Sequence, residues 1–295
     1  MSGCLLVTGG SGFVGGSVLA AARAASWRAV NADCADAAAL EGVEFRRLDI
    51  TEAASVAPVL AEVRPEAVIH CAAIGNIDQS ERDPERAWRV NVEGTAHLAG
   101  AAARIGARFV FLSSSTVFDG KSGRYREADP PMPVNVYGRT KVAAEHAACV
   151  LCPPALVVRI SMAYGYPRTG GASFLTRVEE RLRAGQPTDQ PADEFRTPID
   201  VLTLADALLE LASLDASGLL HLGPQARISR YDFARKIAAR LGADPALVQD
   251  RRAEALPGRA PRPKDVSFET DRARALLRTP LLGPDDGLAR VMTPT

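Results

Sequence analysis

Short apolar runs rich in Val, Ile and Phe alternate with longer Ala-rich segments over the first 160 residues. The short runs predict strands near Cys4–Thr8, Arg28–Ala32, Val43–Arg47, Ala67–Cys71, Arg108–Ser113 and Ala155–Ile160. The longer segments predict crossover helices over Phe13–Ala25, Glu52–Arg64, Glu85–Ile105 and Tyr137–Val150. This alternation is typical of βαβ units, so we expect an α/β protein built on a parallel sheet.

The later part of the chain shows a less regular pattern, and Arg251–Asp265 is rich in Arg and Pro, as loops are. One later stretch, Phe195–Leu222, predicts a strand, a helix and a strand that return to the main sheet. The sequence thus predicts a first domain over 1–160, joined by 195–222. A smaller C-terminal α/β domain is expected over 161–194 and 223–295.

Composition narrows the class of protein. Of the 295 residues 47% are hydrophobic and 24% are charged, which is typical of a folded globular chain. The 35 Lys and Arg residues balance 35 Asp and Glu residues, so no net field draws the chain to nucleic acid or to an anionic membrane. No apolar run approaches the ~20 residues that span a bilayer.

The cysteines favour free thiols in a reducing compartment. There are five, an odd number, and most lie in apolar surroundings, which argues against a disulfide framework. Cys149 and Cys152 form a CxxC pair, but no second pair accompanies it, so no metal site is predicted. Cys4–Val7 is too short for a secretory signal. We therefore expect a cytoplasmic protein.

A glycine-rich turn, Thr-Gly-Gly-Ser-Gly-Phe-Val-Gly, follows the first predicted strand and opens the first helix. Gly9 permits the tight turn, Gly12 lets a pyrophosphate approach the backbone, and Gly15 lets the helix pack closely on the strand. The amides of Phe13 and Val14, with the helix dipole, would then face the phosphates. In this context the loop predicts dinucleotide binding on a Rossmann-type, doubly wound sheet rather than an ordinary Gly-rich turn.

Acidic residues follow the next two strands. Asp33 ends the second strand, where a carboxylate would accept hydrogen bonds from the adenosine ribose hydroxyls. Its negative charge would oppose the 2′-phosphate of NADPH, so the sequence slightly favours NADH over NADPH. The nearby Arg46 and Arg47 would act in the opposite direction. Asp49 and Ile50 follow the third strand and would reach the adenine. Alternatively, Asp33 is a loop acid or a simple helix cap, and Asp49 is the N-cap of the next helix.

Tyr137 and Lys141 are four residues apart at the start of a predicted helix, so both lie on one face. A phenol has a pKa near 10, but a neighbouring ammonium would favour its ionised form and lower that pKa. Tyr137 could then protonate a carbonyl oxygen as hydride arrives. Beside a dinucleotide loop, this pair predicts a reductase.

With this loop and this Tyr-x-x-x-Lys pair in order, the sequence resembles the extended short-chain dehydrogenase/reductase family over essentially its whole length. The family carries a Ser or Thr after the fifth strand, and Ser113–Gly120 looks like that segment. The resemblance implies that Ser114 is the catalytic hydroxyl, with Ser113 and Ser115 as alternatives in the same polar turn. It gives Lys141 a second role, a hydrogen bond to the nicotinamide ribose, and it places Tyr137 as well among the cofactor-binding residues.

The resemblance also extends to small residues near the expected cofactor. Cys71, Ala72 and Ala73 after the fourth strand, and Asn91 in Val-Asn-Val, match family positions that line the cofactor and brace the site. Taken alone, each of these residues would equally fit core packing or helix capping.

Four segments look more like the dTDP-4-dehydrorhamnose reductase branch than other members: Asp49–Thr51, Val117–Gly120, Asn135–Lys141 and Ser229–Ala234. That branch reduces the C4 keto group of a nucleotide-linked deoxysugar with a dissociable NAD(P)H, in deoxysugar biosynthesis. Arg196 and Arg262 fall where related enzymes hold the substrate diphosphate, a task that suits the planar guanidinium. Alternatively, both arginines are ordinary charged residues on the surface.

The expected substrate pocket departs from the branch. Ser115 and Thr116 stand where an Asp-Tyr pair is usual, Met162 stands where a Trp commonly packs on the sugar, and Gln79 replaces a Lys. These differences leave the Ser, Tyr and Lys chemistry intact but leave the sugar open.

The resemblance implies a cytoplasmic, NAD(P)-dependent oxidoreductase that acts on a nucleotide-linked 4-keto-deoxysugar, with the smaller domain binding that substrate. Members of the family often dimerise through two helices, so a homodimer is one expectation. Two alternatives stay open: an epimerase or dehydratase that retains its NAD, and a non-catalytic regulatory subunit of the same fold.

Overall fold

A computed structural model describes residues 3–35, 40–252 and 259–293. Its strands in chain order are β1 (Cys4–Thr8), β2 (Arg28–Asp33), β3 (Glu44–Arg47), β4 (Ala67–His70), β5 (Arg108–Ser114), β6 (Leu156–Ile160), β7 (Met162–Tyr164), β8 (Thr188–Gln190), β9 (Phe195–Arg196), β10 (Pro198–Asp200), β11 (Gly218–Leu222), β12 (Ile228–Ser229) and β13 (Val248–Asp250). Its helices are α1 (Phe13–Ala24), α2 (Ala53–Val63), α3 (Ile77–Arg82), α4 (Pro84–Trp88), α5 (Gly94–Arg104), α6 (Val136–Leu151), α7 (Phe174–Arg183), α8 (Val201–Ser213), α9 (Arg230–Leu241), α10 (Asp271–Leu276) and α11 (Pro284–Met292).

Seven parallel strands form the main sheet in the order β11-β6-β5-β4-β1-β2-β3. The strand order reverses between β1 and β4, and open α/β sheets bind ligands outside the carboxyl ends of their strands at such a point. The predicted Rossmann-type, doubly wound α/β fold is confirmed.

Side chains alternate between the two faces of the sheet and fill two cores. Leu5 and Val7 of β1 face a core that includes residues of α1 and α8, whereas Leu6 faces a second core with residues of α2, α5 and α6. All three β1 side chains are fully buried. A third cluster of apolar side chains joins α7, α9 and α11 beyond the main sheet.

Two predicted elements differ from the structure. The single helix predicted over Glu85–Ile105 is divided into α4, a π-helical turn (Arg89–Glu93) and α5. In the stretch 195–222, only β11 joins the main sheet, beside β6, while β9 pairs with β12 and β10 pairs with β7. Two- and three-residue strands are too short to carry a periodic signal. The division of the chain into two domains stays a prediction.

Among the helices that the structure describes, none is both long and apolar enough to cross a membrane.

Candidate active site

The glycine-rich loop joins β1 to α1 and makes the tight turn predicted for a phosphate-binding loop, here called the cradle. Gly9 has a φ of +70°, and a Cβ there would lie 2.6 Å from the amide nitrogen of Ala72. A Cβ at Gly15 would clash with the carbonyl oxygen of Gly9, whose oxygen also accepts a 3.0 Å hydrogen bond from the amide of Gly12. The first turn of α1 carries no acidic residue and no side-chain cap. Its free amides and helix dipole therefore suit an anion.

A cavity of about 570 Å³ opens beside this loop at the carboxyl ends of β1 to β4. It is lined by these residues predicted to hold the cofactor: Gly9, Gly12, Asp33, Asp49, Ile50, Cys71, Ala72 and Ala73. Phe13, Val14 and Gly15 open α1 beside the cavity. The sequence interpretation missed Ser11, Cys34, Leu48, Thr51, Ile74, Arg86, Arg89 and Val90, which also line it.

Asp33 ties the glycine loop to the end of β2. One carboxylate oxygen accepts a hydrogen bond from the amide of Ser11 at 3.0 Å, and the other accepts from the amide of Ala35 at 3.1 Å. Each oxygen keeps a lone pair for a further donor, such as a ribose hydroxyl. Asp49 is exposed and accepts from the amide and the hydroxyl of Thr51, at 2.9 and 2.7 Å, and does not cap α2.

Asn91 lies in the π-helical turn and is 1% exposed. Its Oδ1 accepts from the amide of Ile74 at 2.8 Å, while its Nδ2 donates to the hydroxyl of Thr140 at 2.9 Å. The side chain thus braces the loop after β4 against α6. Single π-helical turns are frequent at functional sites, and Asn91 is buried within this one.

Lys141 is 2% exposed, and its ammonium donates a 2.8 Å hydrogen bond to the carbonyl oxygen of Leu112 in β5. The same ammonium lies 4.1 Å from the ring centroid of Phe111. Burial lowers the pKa of Lys141 to about 8, while the carboxylate of Glu145 acts in the opposite direction. A buried lysine with such a pKa is half charged near neutral to mildly alkaline pH.

Tyr137 and Ser114 meet where α6 approaches the end of β5. Burial raises the pKa of Tyr137 to about 12, and a hydrogen bond with Ser114 lowers it only in part. The predicted lowering of this pKa is therefore wrong for the free site, because burial of the phenol outweighs the hydrogen bond with Ser114. The Ser114 hydroxyl accepts from the amide and the hydroxyl of Thr116, at 3.2 and 3.0 Å. Its own proton is therefore directed at the phenolic oxygen of Tyr137 in the free site, and a substrate oxygen would compete for it.

Two predicted substrate residues lie in different surroundings. Ser115 follows Ser114 directly and is 1% exposed, and its hydroxyl has no partner in the described part of the chain. Met162 opens β7 and packs against the apolar cluster of α7, α9 and α11.

The predicted Arg196 belongs to a group of arginines around one buried carboxylate. Glu194 is fully buried and contacts Arg196 at 3.2 Å, Arg259 at 2.9 Å and Arg230 at 3.7 Å. We name Glu194, Arg196, Arg230 and Arg259 the arginine cluster; it holds three guanidiniums and one carboxylate. The sequence interpretation missed Glu194, Arg230 and Arg259, and the last two come from segments distant from Arg196 in the chain.

Arg262 lies at a separate contact. It donates to Asp78 of α3 at 2.8 Å and to the carbonyl oxygen of Ala260 at 2.9 Å. Asp78 also accepts from the amide of Ala260 at 2.9 Å. The ion pair thus fixes the segment around residues 260–262 against α3.

In the described part of the chain, no group of three or more His, Cys, Asp or Glu residues could hold a metal ion. All five cysteines are free.

The sheet, the glycine loop and the Ser, Tyr and Lys side chains together define an extended short-chain dehydrogenase/reductase, as the sequence resemblance predicted. More narrowly, the chain belongs to the RmlD substrate binding domain family, whose model matches residues 3–294. It is 34% identical over 281 residues to the dTDP-4-dehydrorhamnose reductase of Mycolicibacterium smegmatis, a match that covers 94% of this chain and 81% of that protein.

Two further likenesses bear on function. The chain is 31% identical over 240 residues to the methionine adenosyltransferase 2 subunit beta of Bos taurus, covering 79% of this chain and 71% of that protein. The crystal structure of dTDP-4-dehydrorhamnose reductase from Bacillus anthracis in complex with NADP superposes with a TM-score of 0.86 at 26% identity, covering 99% of both chains.

Proposed function

We propose that this chain is an NAD(P)H-dependent reductase of a nucleotide-linked 4-keto-deoxysugar, as in dTDP-4-dehydrorhamnose reduction. The observation that carries the proposal is the convergence of Ser114, Tyr137 and Lys141 at the end of β5. The family relatives named as reductases support it.

The cradle fits a nicotinamide dinucleotide. Its glycines leave the space that a Cβ would fill, and the first turn of α1 carries neither an acidic residue nor a side-chain cap, which suits an anion. In the proposal, Gly9, Gly12 and Phe13–Gly15 hold the pyrophosphate, and Asp33 accepts from the adenosine ribose. The residues that follow β3 and β4, namely Asp49, Ile50, Cys71, Ala72 and Ala73, line the adenine and ribose, and Asn91 braces them.

The proton chemistry follows from the site geometry. When bound, NAD(P)H would supply the hydride for the keto carbon. Ser114 donates its hydroxyl proton to the keto oxygen as a hydrogen bond and so orients it. Tyr137, kept protonated by its raised pKa, transfers its phenolic proton to that oxygen as negative charge develops there. Lys141 then stabilises the phenolate through its positive charge and contacts the nicotinamide ribose.

We propose a slight preference for NADH. Asp33 brings negative charge to the ribose end of the cavity, and Arg46 is paired with Glu62 at 3.0 Å outside the cavity lining. Arg86 and Arg89 line the same cavity and act in the opposite direction. The ratio of kcat/KM for the two cofactors, compared between wild type and Asp33→Ser, tests the preference.

The arginine cluster supplies the anion site that the substrate needs. Its surplus of positive charge suits a diphosphate, and Arg guanidiniums bind phosphate in pairs of hydrogen bonds. In the proposal Arg196 and Arg230 of the cluster contact the diphosphate together with Arg262, whose charge acts on Arg196, while Ser115 and Met162 contact the sugar.

Tyr137→Phe tests the proposal. General acid catalysis contributes about 10²–10⁴-fold, so we expect kcat to fall by that factor. The affinity for NAD(P)H, measured by fluorescence quenching, should stay within about twofold because the glycine loop and Asp33 hold most of the dinucleotide in the proposal. Tyr231→Phe, on α9, is the matched control and should turn over normally. Undiminished turnover in Tyr137→Phe would exclude this proton donor.

A second candidate function rests on the likeness to methionine adenosyltransferase 2 subunit beta. A regulatory subunit would bind another enzyme stably and would reduce no ketosugar. Retention of Ser114, Tyr137 and Lys141 favours the reductase. An epimerase or dehydratase, the other alternative, would instead copurify with NAD and consume none.

We also propose a cytoplasmic location, because free cysteines persist in reducing compartments. Cell fractionation tests this.

A homodimer through α5 and α6 is proposed as well. Val150 and Leu151 at the end of α6 are 60% and 44% exposed, and Ile105 at the end of α5 is 40% exposed. Exposed apolar side chains on neighbouring helices suit a protein interface. A monomer in analytical ultracentrifugation would contradict it.

A further inference from the structure

One turn beyond Lys141 on α6 lies a buried carboxylate that the proposed chemistry does not use. Glu145 is 5% exposed. Its Oε1 accepts from the hydroxyl of Ser113 at 2.5 Å and from Nε of Arg159 at 2.9 Å, and its Oε2 accepts from the Arg159 guanidinium at 2.6 Å. A buried acid of this kind needs such a fork of donors to remain ionised.

The contacts continue across the sheet. Arg159 of β6 is 1% exposed and lies 3.4 Å from Nε2 of His221 in β11. Nδ1 of His221 lies 3.0 Å from the carbonyl oxygen of Tyr125, which can only accept. Burial lowers the pKa of His221 to about 3, so the ring is neutral and its proton sits on Nδ1. Nε2 is then an acceptor for Arg159, and every group in the chain of contacts has a partner.

Consecutive residues of β5 meet α6 through this arrangement. The carbonyl of Leu112 accepts from Lys141, the hydroxyl of Ser113 donates to Glu145, and Ser114 is the proposed catalytic hydroxyl. The two contacts fix the register between the end of β5 and α6. A shift of α6 along β5 would therefore break both at once.

The groups facing Lys141 leave Glu145 as its main source of negative charge. His70 of β4 is neutral because burial, with Lys141 nearby, lowers its pKa to about 3. Burial raises the pKa of the Cys71 thiol to about 12, so that group is uncharged as well. Tyr137 is protonated in the free site. Glu145 is thus the anion that opposes the loss of the ammonium proton.

We propose that Glu145, held by Ser113 and Arg159, is a positioning residue that keeps the Lys141 ammonium in place against the end of β5. Only the catalytic consequence of this role rests on the proposed reductase function. The effect on Lys141 itself is a property of the free protein, so the two can be tested separately.

The direct test is the titration of Lys141 by NMR of protein labelled with ¹³C at the lysine ε carbon. The sequence contains four lysines, Lys121, Lys141, Lys236 and Lys264, so the signals can be assigned by single Lys→Arg variants. In wild type we expect Lys141 to titrate near 8. In Glu145→Gln the midpoint should move lower by about one pH unit, because the ammonium loses its anion.

Two matched variants separate charge from folding. Glu145→Asp keeps the charge and should keep the midpoint nearer to that of wild type than Glu145→Gln does. Ser113→Ala removes one hydrogen bond but no charge and should leave it unchanged. If Glu145→Gln does not fold, the charge-neutral double variant Glu145→Gln/Arg159→Met replaces it, since exchange of a buried ion pair as a whole is often tolerated. An unshifted Lys141 midpoint in a folded variant without the carboxylate would overturn the proposal.

Activity supplies the second readout. With a ketosugar substrate, the alkaline limb of the kcat profile of Glu145→Gln should move lower in pH by the same amount as the NMR midpoint. Affinity for NAD(P)H should change by less than about threefold. If wild type reduces no ketosugar, the proposed function fails while the titration still decides the role of Glu145.

Discussion

Two buried polar regions of this molecule contain similar residues but differ in charge balance. In the region behind Lys141, one carboxylate meets one guanidinium, and the Ser113 hydroxyl and both ring nitrogens of His221 each have a partner. In the arginine cluster, Glu194 meets three guanidiniums, and Nε of Arg230 has no hydrogen-bond partner in the described part of the chain. Burial lowers the pKa of Arg230 to about 10. The neighbouring Arg196 and Arg259 also lower this pKa, whereas Glu194 raises it. The balanced network holds β5 and α6 in register, whereas the surplus of positive charge in the arginine cluster suits an anionic ligand.

The largest expected effect is on stability. Arg159→Met leaves Glu145 buried without its cation, which typically costs about 3–5 kcal/mol. We expect the free energy of unfolding, measured with urea, to fall by that amount. Arg230→Met should change it by less than about 1 kcal/mol, because that variant relieves repulsion within the arginine cluster. Equal losses in the two variants would remove the distinction between the regions.

The arginine cluster should affect substrate binding instead. Arg230→Gln should raise KM for the nucleotide sugar about 10- to 100-fold, since a charge-assisted hydrogen bond contributes about 1.5–3 kcal/mol. The value of kcat should change little, because the group lies away from the reacting carbonyl in the proposal. Arg235→Gln, an exposed residue on the same helix, is the matched control. An unchanged KM in Arg230→Gln would argue against a diphosphate at this position.

The smallest effect is the pH dependence of the balanced network. His221 is neutral when folded, with a pKa lowered to about 3 from 6.5 in the unfolded chain. The unfolded state therefore binds more protons below pH 6.5, and stability is lost as the pH falls from 6.5 toward 3. His221→Gln should remove up to about 1.4 kcal/mol per pH unit of this acid sensitivity. Urea unfolding of both proteins at several pH values measures it, and identical slopes would contradict the neutral histidine.

Sequence reasoning succeeded where the signal is local. The glycine turn after β1 and the Tyr-x-x-x-Lys spacing lie within single elements, so their neighbours in space are also neighbours in the chain. The fold followed from alternating apolar segments for the same reason. The π-helical turn around Asn91 was missed, because a single extra residue leaves the helical period of the flanking segments nearly unchanged.

Features formed by segments that are distant in the chain could not be predicted from the sequence. Glu194 and Arg259 are separated by 65 residues, and their contact depends on how the later chain folds back. The pKa of Tyr137 was predicted with the wrong sign, since spacing reveals a neighbouring charge but not the extent of burial. The roles of the site residues stay predictions.

The central claim is reduction of a nucleotide-linked ketosugar, and the most direct measurement is cofactor consumption. Purified protein is mixed with NADH or NADPH and a panel of nucleotide-linked 4-keto-deoxysugars, and the near-ultraviolet absorbance of the reduced nicotinamide is followed. We predict stoichiometric oxidation with at least one sugar, slowed about 10²–10⁴-fold in Tyr137→Phe. Tight cofactor binding without oxidation by any sugar would contradict it and would favour the enzyme that retains NAD or the regulatory subunit.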